Sequence, residues 1–247
     1  MNLQEGIIIK TIPYQDASKI ITLITKEGKK SLIAKGAAKL KSHHFSHSQE
    51  LSKISFEEKN KYLAQTKLMN FYSEIRENGS KLKSAMIILE LTNQIADHVT
   101  DFSLFYQFLD EILSLINSPP PEEKLYELIF RLKTLYLLGI SPVFNQCVEC
   151  GSKVNLVGFS FYNGGMKCDQ HFSQEDYLYE LSTVKSIQFL YKMKLFELQK
   201  IAKEIVFDYQ KLDSFLSHYY EYFLGFRSKG SKILKRFEEL FDKKSNM

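Results

Sequence analysis

Residues 6–35 read GIIIKTIPYQDASKIITLITKEGKKSLIAK, and this stretch decides the fold of the N-terminal part of the chain. It contains three runs rich in β-branched residues, at 6–13, 18–25 and 31–35, with the turn sequence KEGKK before the third. β-Branched side chains favour the pleated strand, and a glycine within a short polar connection favours a hairpin. The stretch therefore predicts three consecutive β-strands.

Two more strands are predicted downstream, at 51–57 and 62–69. The first of them, LSKISFE, alternates apolar and polar residues, as a strand with one buried face does. Five short strands within the first third of the chain are typical of a small closed or partly open barrel. The OB-fold is the five-stranded candidate, although strand number alone also fits an SH3-like barrel.

The sequence period becomes helical after Asn78-Gly79-Ser80, where apolar residues begin to recur every three to four positions. Three prolines at 119–121 end the second helix, because proline lacks the amide hydrogen that a helix needs. The predicted helices cover 87–99, 104–116, 125–138, 182–195, 198–205, 212–226 and 229–241. We therefore expect an α+β protein of two domains, an OB-fold-like β-barrel at 1–78 and an all-helical domain at 79–247.

The three cysteines of the chain belong to one pattern, Cys147-x2-Cys150-x17-Cys168-x2-His171. Each pair can form a knuckle that presents two ligands to one ion, and the connecting loop lets the pairs meet. The pattern predicts a zinc-binding module at 141–173, inserted in the helical domain. Four protein ligands complete a tetrahedral shell, which favours a structural Zn²⁺ over a catalytic one. A disulfide is less favoured, because it would leave one cysteine over and nothing else indicates secretion.

A strongly cationic segment lies in the predicted barrel. Residues 19–41 contain seven lysines and one acid, whereas the whole chain has a net charge of only +4. Small residues at 34–38 would let a phosphate backbone approach while lysines supply the charge. Such a run is usually just a solvated surface. Aromatic residues of this region would add stacking surfaces unless they belong to the core; they are Phe45, Tyr62 and Phe71.

Several classes of function are disfavoured by what the sequence lacks. It has no Gly-x4-Gly-Lys-Ser/Thr loop, no Gly-x-Ser-x-Gly elbow and no cysteine outside the zinc pattern. Apolar runs fall short of the roughly 20 residues that span a bilayer, and the first residues do not resemble a signal peptide. We expect a non-catalytic cytoplasmic protein with no membrane association. The histidine-rich segment 43–47 is expected to be a polar loop.

Segments in both predicted domains resemble the RecO family of recombination mediators. Residues 6–41 are similar to the N-terminal barrel of that family. LLGISP at 137–142, CVECG at 147–151 and GGMKC at 164–168 are similar to its helical domain and metal module, and 219–234 is similar to its C-terminal helices. The chain departs from the family pattern at His171, where the pattern has a cysteine.

The resemblance implies a DNA repair protein without catalytic activity, cytoplasmic and associated with the nucleoid. Members bind single- and double-stranded DNA, anneal complementary strands and, with RecR, help RecA to load onto DNA coated by single-strand-binding protein. In this chain we expect the DNA-binding residues to be Lys35, Lys39 and Lys41, assisted by Lys10 and Lys19.

The resemblance also implies binding of the acidic, phenylalanine-terminated tail of single-strand-binding protein. An acidic tail needs an apolar slot with a cationic rim, and Arg131 and Lys133 are the residues predicted to receive it. Charged residues on the solvent-exposed face of an ordinary helix would give the same pattern at these two positions.

Two other functions fit parts of the sequence. One is a sequence-tolerant RNA-binding module built from a barrel and a structural zinc ribbon, whose basic surface would look the same. The other is a zinc hydrolase, which would need an open coordination position and a glutamate base. Glu149 lies between two ligands, but its place in the knuckle predicts that it points outward.

Overall fold

The computed structural model describes residues 3–119, 122–195, 197 and 206–225. The chain forms two compact units, Met1–Phe130 and Arg131–Met247. This division by contacts leaves the predicted domain boundary at residue 78 as a prediction. The helices predicted at 198–205 and 229–241 lie outside the described residues.

The five predicted strands are present and close into a barrel, which confirms the predicted N-terminal fold. They are β1 (Gln4–Tyr14), β2 (Ser18–Thr25), β3 (Gly28–Ala34), β4 (Ser52–Lys59) and β5 (Tyr62–Asn70). Their order around the barrel is β1-β2-β3-β5-β4. Neighbouring strands are antiparallel except β3 and β5, which meet in parallel at Ile33 and Tyr62.

The barrel is filled by the inward-facing residues of its strands, as their alternation predicts. Large aliphatic side chains and one aromatic ring occupy this core, each at most 4% exposed. They are Ile8, Ile21, Leu23, Leu32, Ile54, Phe56 and Leu63. The backbone amide of Ile33 donates to the carbonyl of Lys61 at 2.9 Å, and this bond closes the barrel between β3 and β5.

Helices follow the barrel within the first unit. They are α2 (Ser73–Glu77), α3 (Gly79–Ile95) and α4 (Phe102–Asn117), and a short helix, α1 (His43–His47), precedes β4. Helix α3 begins eight residues before the predicted 87–99, because the Asn78 side chain accepts hydrogen bonds from the amides of Ser80 and Lys81.

A polar contact fastens α4 to the barrel. Asp110 accepts a hydrogen bond from Lys53 Nζ of β4 at 2.7 Å and one from the Tyr72 hydroxyl at 3.0 Å. Burial, reinforced by the neighbouring Asp110 carboxylate, raises the pKa of Tyr72 well above its ordinary value, so this hydroxyl remains a donor.

Helix α5 (Glu123–Leu137) leads into the second unit. That unit contains a two-stranded sheet, β6 (Leu156–Ser160) and β7 (Gly165–Cys168), and the helices α6 (Leu181–Lys192) and α7 (Tyr209–Leu224). The unit's core is aromatic, and Phe161 contacts the rings of Phe215 and Tyr219. The predicted architecture of a barrel, then helices with an inserted metal-binding module, is confirmed.

Among the residues described, none of the helices is both long and apolar enough to cross a membrane.

The barrel core predicts a clear difference between two substitutions on its strands. Phe56→Ala removes a side chain with no exposed surface and should lower the free energy of unfolding by about 3–5 kcal/mol. Met69→Ala shortens a side chain that is 46% exposed, and it should lower the free energy of unfolding by well under half of that amount. The chain has no tryptophan, so urea unfolding is followed by circular dichroism. Equal losses for the two variants would contradict the assignment of the core.

Candidate metal centre and nucleic-acid surface

The four predicted metal ligands come together in the second unit. The Sγ atoms of Cys147, Cys150 and Cys168 and a ring nitrogen of His171 all lie within 4.8 Å of one another. Cys147 and Cys168 are buried, Cys150 is exposed and His171 is half-buried. The cluster is therefore open to solvent on one side and packed against the protein on the other.

The two knuckles have closely similar backbone turns. The carbonyl of Cys147 accepts from the amide of Gly151 at 2.9 Å, and the carbonyl of Cys168 accepts from the amide of Phe172 at 2.9 Å. Gly151 has a φ of 74°, a left-handed conformation that glycine adopts without a steric penalty. Each turn places its two ligands on the same side of the backbone.

Strand β7 brings the two knuckles together. The amide of Val148 donates to the carbonyl of Met166 at 2.9 Å, and the amide of Met166 donates to the carbonyl of Val143 at 2.8 Å. A Cβ atom at Gly165 would lie 2.8 Å from the Val143 carbonyl oxygen, so this close approach requires glycine. The first knuckle is thus hydrogen-bonded to the strand that carries the third ligand.

The distances between ligand atoms fit a tetrahedral zinc ion. Zinc–sulfur bonds of about 2.3 Å place two sulfurs of a tetrahedron about 3.8 Å apart, and a zinc–nitrogen bond of about 2.0–2.1 Å gives a sulfur–nitrogen separation of about 3.6 Å. The Sγ atoms of Cys150 and Cys168 are 3.8 Å apart. His171 Nδ1 lies 3.1 Å from Cys168 Sγ and 3.9 Å from Cys147 Sγ. This donor set suits zinc, and it leaves no open position for substrate.

The thiol chemistry also suits a metal. Burial acts to raise the pKa of Cys147, but hydrogen bonds from the backbone around Cys150, Cys168 and Glu149 outweigh it and lower the pKa to about 6. A thiolate, not a thiol, is the form that binds a metal.

A buried ion pair beside the cluster was missed by the sequence analysis. The Nζ atom of Lys167, the residue before Cys168, lies 2.7 Å from Glu149 Oε1 and 3.1 Å from Asp176 Oδ1. Burial acts to raise the pKa of Asp176, but hydrogen bonds from Ser160, Ser173 and Lys167 lower it to about 2. Glu149 is exposed, in agreement with the prediction that it points outward, and it also pairs with Lys167. A lysine at a strand position carried no signal of this pairing.

The predicted DNA-binding lysines are exposed except Lys19, which is half-buried. Lys19 pairs with Ala34 across β2 and β3, so it lies beside the loop that starts at Lys35. The amide of Ala38 donates to the carbonyl of Ala17 at 3.0 Å and folds this loop onto the β1–β2 turn. Lys19 thus lies at the same end of the barrel as the loop that carries Lys35, Lys39 and Lys41, which we call the lysine loop.

Lys10 lies apart from the lysine loop. It pairs with Thr22 of β2. Thr22 is three residues from Lys19 on that strand, a distance of about 10 Å along it. It is exposed, so it can contact only a strand that continues along the outside of β1 and β2.

Two aromatic rings lie beside the lysine loop. The Nζ atom of Lys35 is 4.2 Å from the centroid of the Tyr62 ring, and that of Lys19 is 5.5 Å from the centroid of Phe45. Tyr62 is 37% exposed and Phe45 is half-buried, so neither is a fully buried core residue. The third aromatic residue, Phe71, contacts Arg76, whose Cζ atom lies 3.9 Å from the centroid of the Phe71 ring.

The histidine-rich segment forms helix α1, although the sequence predicted a loop. The Ser42 hydroxyl accepts from the amide of His44 and caps the helix. His47 Nδ1 lies 2.8 Å from the Thr66 hydroxyl of β5, and the His43 and His47 ring centroids are 4.4 Å apart. The helix therefore connects the lysine loop to β5.

The residues predicted to receive an acidic tail have partners within the second unit. Arg131 is 7% exposed, pairs with Asp213 and donates to the Ser217 hydroxyl at 2.8 Å. Lys133 Nζ donates to the carbonyl of Tyr191 at 3.0 Å, and burial lowers the pKa of Lys133. These contacts join α5 to α6 and α7. The predicted role in partner binding stays a prediction.

The fold and these sites define a class of protein with an OB-like barrel bearing a cationic loop, and a helical unit with a Cys3His cluster that could hold a metal ion. Residues 1–85 match the family model described as "Recombination protein O N terminal", and residues 76–232 match the one described as "Recombination protein O C terminal". The chain belongs to the RecO family, which confirms the resemblance found in its sequence.

Proteins named DNA repair protein RecO are similar to the chain over almost its full length. The one from Exiguobacterium sibiricum is 29% identical over 246 residues, covering 96% of this chain and 98% of that protein. One from another Exiguobacterium strain is 30% identical over 237 residues, covering 93% of each. One from Bacillus cereus is 29% identical over 244 residues, covering 95% of this chain and 97% of that protein.

The histidine helix predicts an acid sensitivity of the barrel. Burial and then the neighbouring imidazoles lower the pKa values of His44 and His47 from 6.5. The stabilisation that follows is complete above about pH 6.5 and is lost as the pH falls through the lowered folded-state pKa values. We expect the melting temperature to fall less between pH 7.5 and pH 5.5 in a variant with His44→Gln and His47→Gln than in the wild type.

The control for this measurement is His98→Gln, at an exposed histidine outside α1. It should keep the acid sensitivity of the wild type. If the melting temperature of the double variant falls as much as that of the wild type over the same pH range, α1 is not the source of the acid sensitivity.

Proposed function

We propose that this chain is a non-catalytic DNA repair and recombination mediator that binds single- and double-stranded DNA and anneals complementary strands. The observation that carries the proposal is its membership of the RecO family across nearly the whole chain. The relatives named DNA repair protein RecO support the same function. With DNA as its ligand, the protein would act in the cytoplasm, in association with the nucleoid.

The lysine loop supports the proposed DNA binding. The exposed lysines of this loop can follow phosphates without reading bases, and the rings of Tyr62 and Phe45 offer faces on which bases can stack. Lys35 and Lys19 lie over these rings and would move to phosphates when a base takes their place. Binding of this kind does not depend on base sequence, as the repair of DNA of any sequence requires.

A structural Zn²⁺ held by Cys147, Cys150, Cys168 and His171 is part of the proposal. The ion would supply a cross-link between the two knuckles. The four protein ligands argue against the zinc hydrolase, because no coordination position remains for water. Glu149, the glutamate that such a hydrolase would need as its base, is paired with Lys167.

The proposed partners are those of a mediator. RecR would act together with the protein, and RecA would load onto the DNA as the outcome. Single-strand-binding protein would be engaged both on DNA and through its acidic tail. The test of this function is a mobility-shift and annealing assay on DNA with and without single-strand-binding protein. Annealing of DNA so coated supports the mediator, and tight binding restricted to RNA oligomers of the same sequence would instead establish the RNA-binding module.

The lysine loop predicts a change in salt dependence. Binding to single strands weakens with salt by a log–log slope of about 0.7 for each phosphate contacted. A variant with Lys35→Ala, Lys39→Ala and Lys41→Ala should therefore reduce the slope by about 2 and weaken binding at low salt. The measurement is fluorescence anisotropy with a labelled single strand over a range of salt concentrations.

A second triple variant controls for the loss of overall charge. Lys83, Lys153 and Lys185 are exposed lysines outside the lysine loop, and replacing them with alanine removes the same charge. This variant should keep the slope of the wild type to within about one phosphate contact. Equal slopes for the wild type and the lysine-loop variant would remove these lysines from the proposed DNA path.

The proposed tail site is tested with a peptide. If Arg131 and Lys133 receive the acidic tail, the combined variant Arg131→Lys, Lys133→Gln should bind the tail peptide at least fivefold more weakly than the wild type. The measurement is peptide titration, with the melting temperature recorded for both proteins. A lowered melting temperature with unchanged peptide affinity would assign the two side chains to internal support alone.

A further inference from the structure

We propose that Glu149 is a positioning residue for the metal centre, which fixes the ring of His171 so that Nδ1 faces the ion. This inference rests on the proposed zinc site and deepens it. It concerns the one histidine in the cluster of four predicted ligands.

The orientation of the His171 ring is the first observation. Its Nδ1 atom faces the sulfurs of Cys168 and Cys147, at 3.1 and 3.9 Å. Its Nε2 atom faces the Glu149 carboxylate, and lies 4.0 Å from Oε2. The ring thus presents one nitrogen to the ligand cluster and the other to an acid from the opposite knuckle. A small torsion of either side chain, or one bridging water, turns this separation into a hydrogen bond.

Lys167 is the second observation, because it holds the carboxylate in place. Its Nζ atom lies 2.7 Å from Glu149 Oε1 and 3.1 Å from Asp176 Oδ1, and its side chain is 8% exposed. Asp176 is in turn bound by the amide and hydroxyl of Ser173, at 2.9 and 3.1 Å. A glutamate with 41% of its side chain exposed is therefore anchored by a buried chain of charges.

The chemistry of the ligand explains why such an acid is useful here. A neutral imidazole binds a metal through one nitrogen and carries its proton on the other, so a carboxylate that accepts this proton's hydrogen bond selects the tautomer and fixes the ring. A cysteine ligand has no second polar atom and needs no such support. The pairing of His171 with Glu149 therefore joins the histidine ligand to an acid whose support a cysteine would not need.

The test is a double-mutant cycle on the full-length protein, with Glu149→Gln, His171→Cys and both together. We measure Zn²⁺ affinity by competition with a chelator, and the visible absorption spectrum after Co²⁺ is bound. In the His171 background, Glu149→Gln should weaken Zn²⁺ binding by about 10–100-fold and alter the Co²⁺ spectrum. In the His171→Cys background the same substitution should change the affinity by less than about threefold.

Glu175→Gln is the matched control, because Glu175 is an exposed acid two residues beyond the predicted module. It should leave the affinity and the spectrum unchanged. Equal losses on Glu149→Gln in both backgrounds would overturn the inference, because Glu149 would then act on the fold and not through His171. An unchanged affinity in the His171 background would overturn it as well. Wild-type protein that binds no Zn²⁺ would overturn the metal centre itself, so the two failures are distinguishable.

Discussion

The closure of the barrel is the constraint on which the arrangement of the first unit depends. β3 and β5 meet in parallel at a single register pair, Ile33 and Tyr62. The amide of Ile33 donates a hydrogen bond to the carbonyl of Lys61. Because β5 lies between β3 and β4 in the barrel, the chain must cross the end of the β5 position in a long connection before it returns as β4. That connection contains the lysine loop and helix α1. The site of positive charge is thus a consequence of how the sheet closes.

The same closure brings an aromatic ring to the cations. Tyr62 is the residue of β5 that pairs with Ile33, and Lys35 follows Ile33 by two positions. The cation–ring contact between Lys35 and Tyr62 is therefore built into the register of the closing pair. Helix α1 then joins this end of the barrel to β5 through His47 and Thr66. A surface that combines lysines and rings therefore results from strand topology.

Much of this could be predicted from the sequence, and the reasons differ between elements. The barrel strands were predictable because β-branched runs, and an alternation of polar and apolar residues such as that in 53–57, favour a strand over a helix. The metal ligands were predictable because only paired spacing brings four ligands to one point. The start of α3 was not, since Asn78 sets it by capping while the apolar stripe begins later. Helix α1 was missed because three histidines in five residues carry little helix preference, and a single Ser42 cap decides.

The contacts around the metal centre lay beyond sequence reasoning for a physical reason. A lysine on a strand is normally solvated, and nothing in GGMKC indicates that Lys167 would be buried between two acids. Burial of that ammonium is tolerated because Glu149 and Asp176 lie on either side of it, and those contacts exist only once both knuckles have formed. The ion pair and the ligand cluster therefore stabilise each other. A Zn²⁺ ion held by the four ligands would cross-link the two knuckles, and Lys167 beside them holds the acid that faces His171.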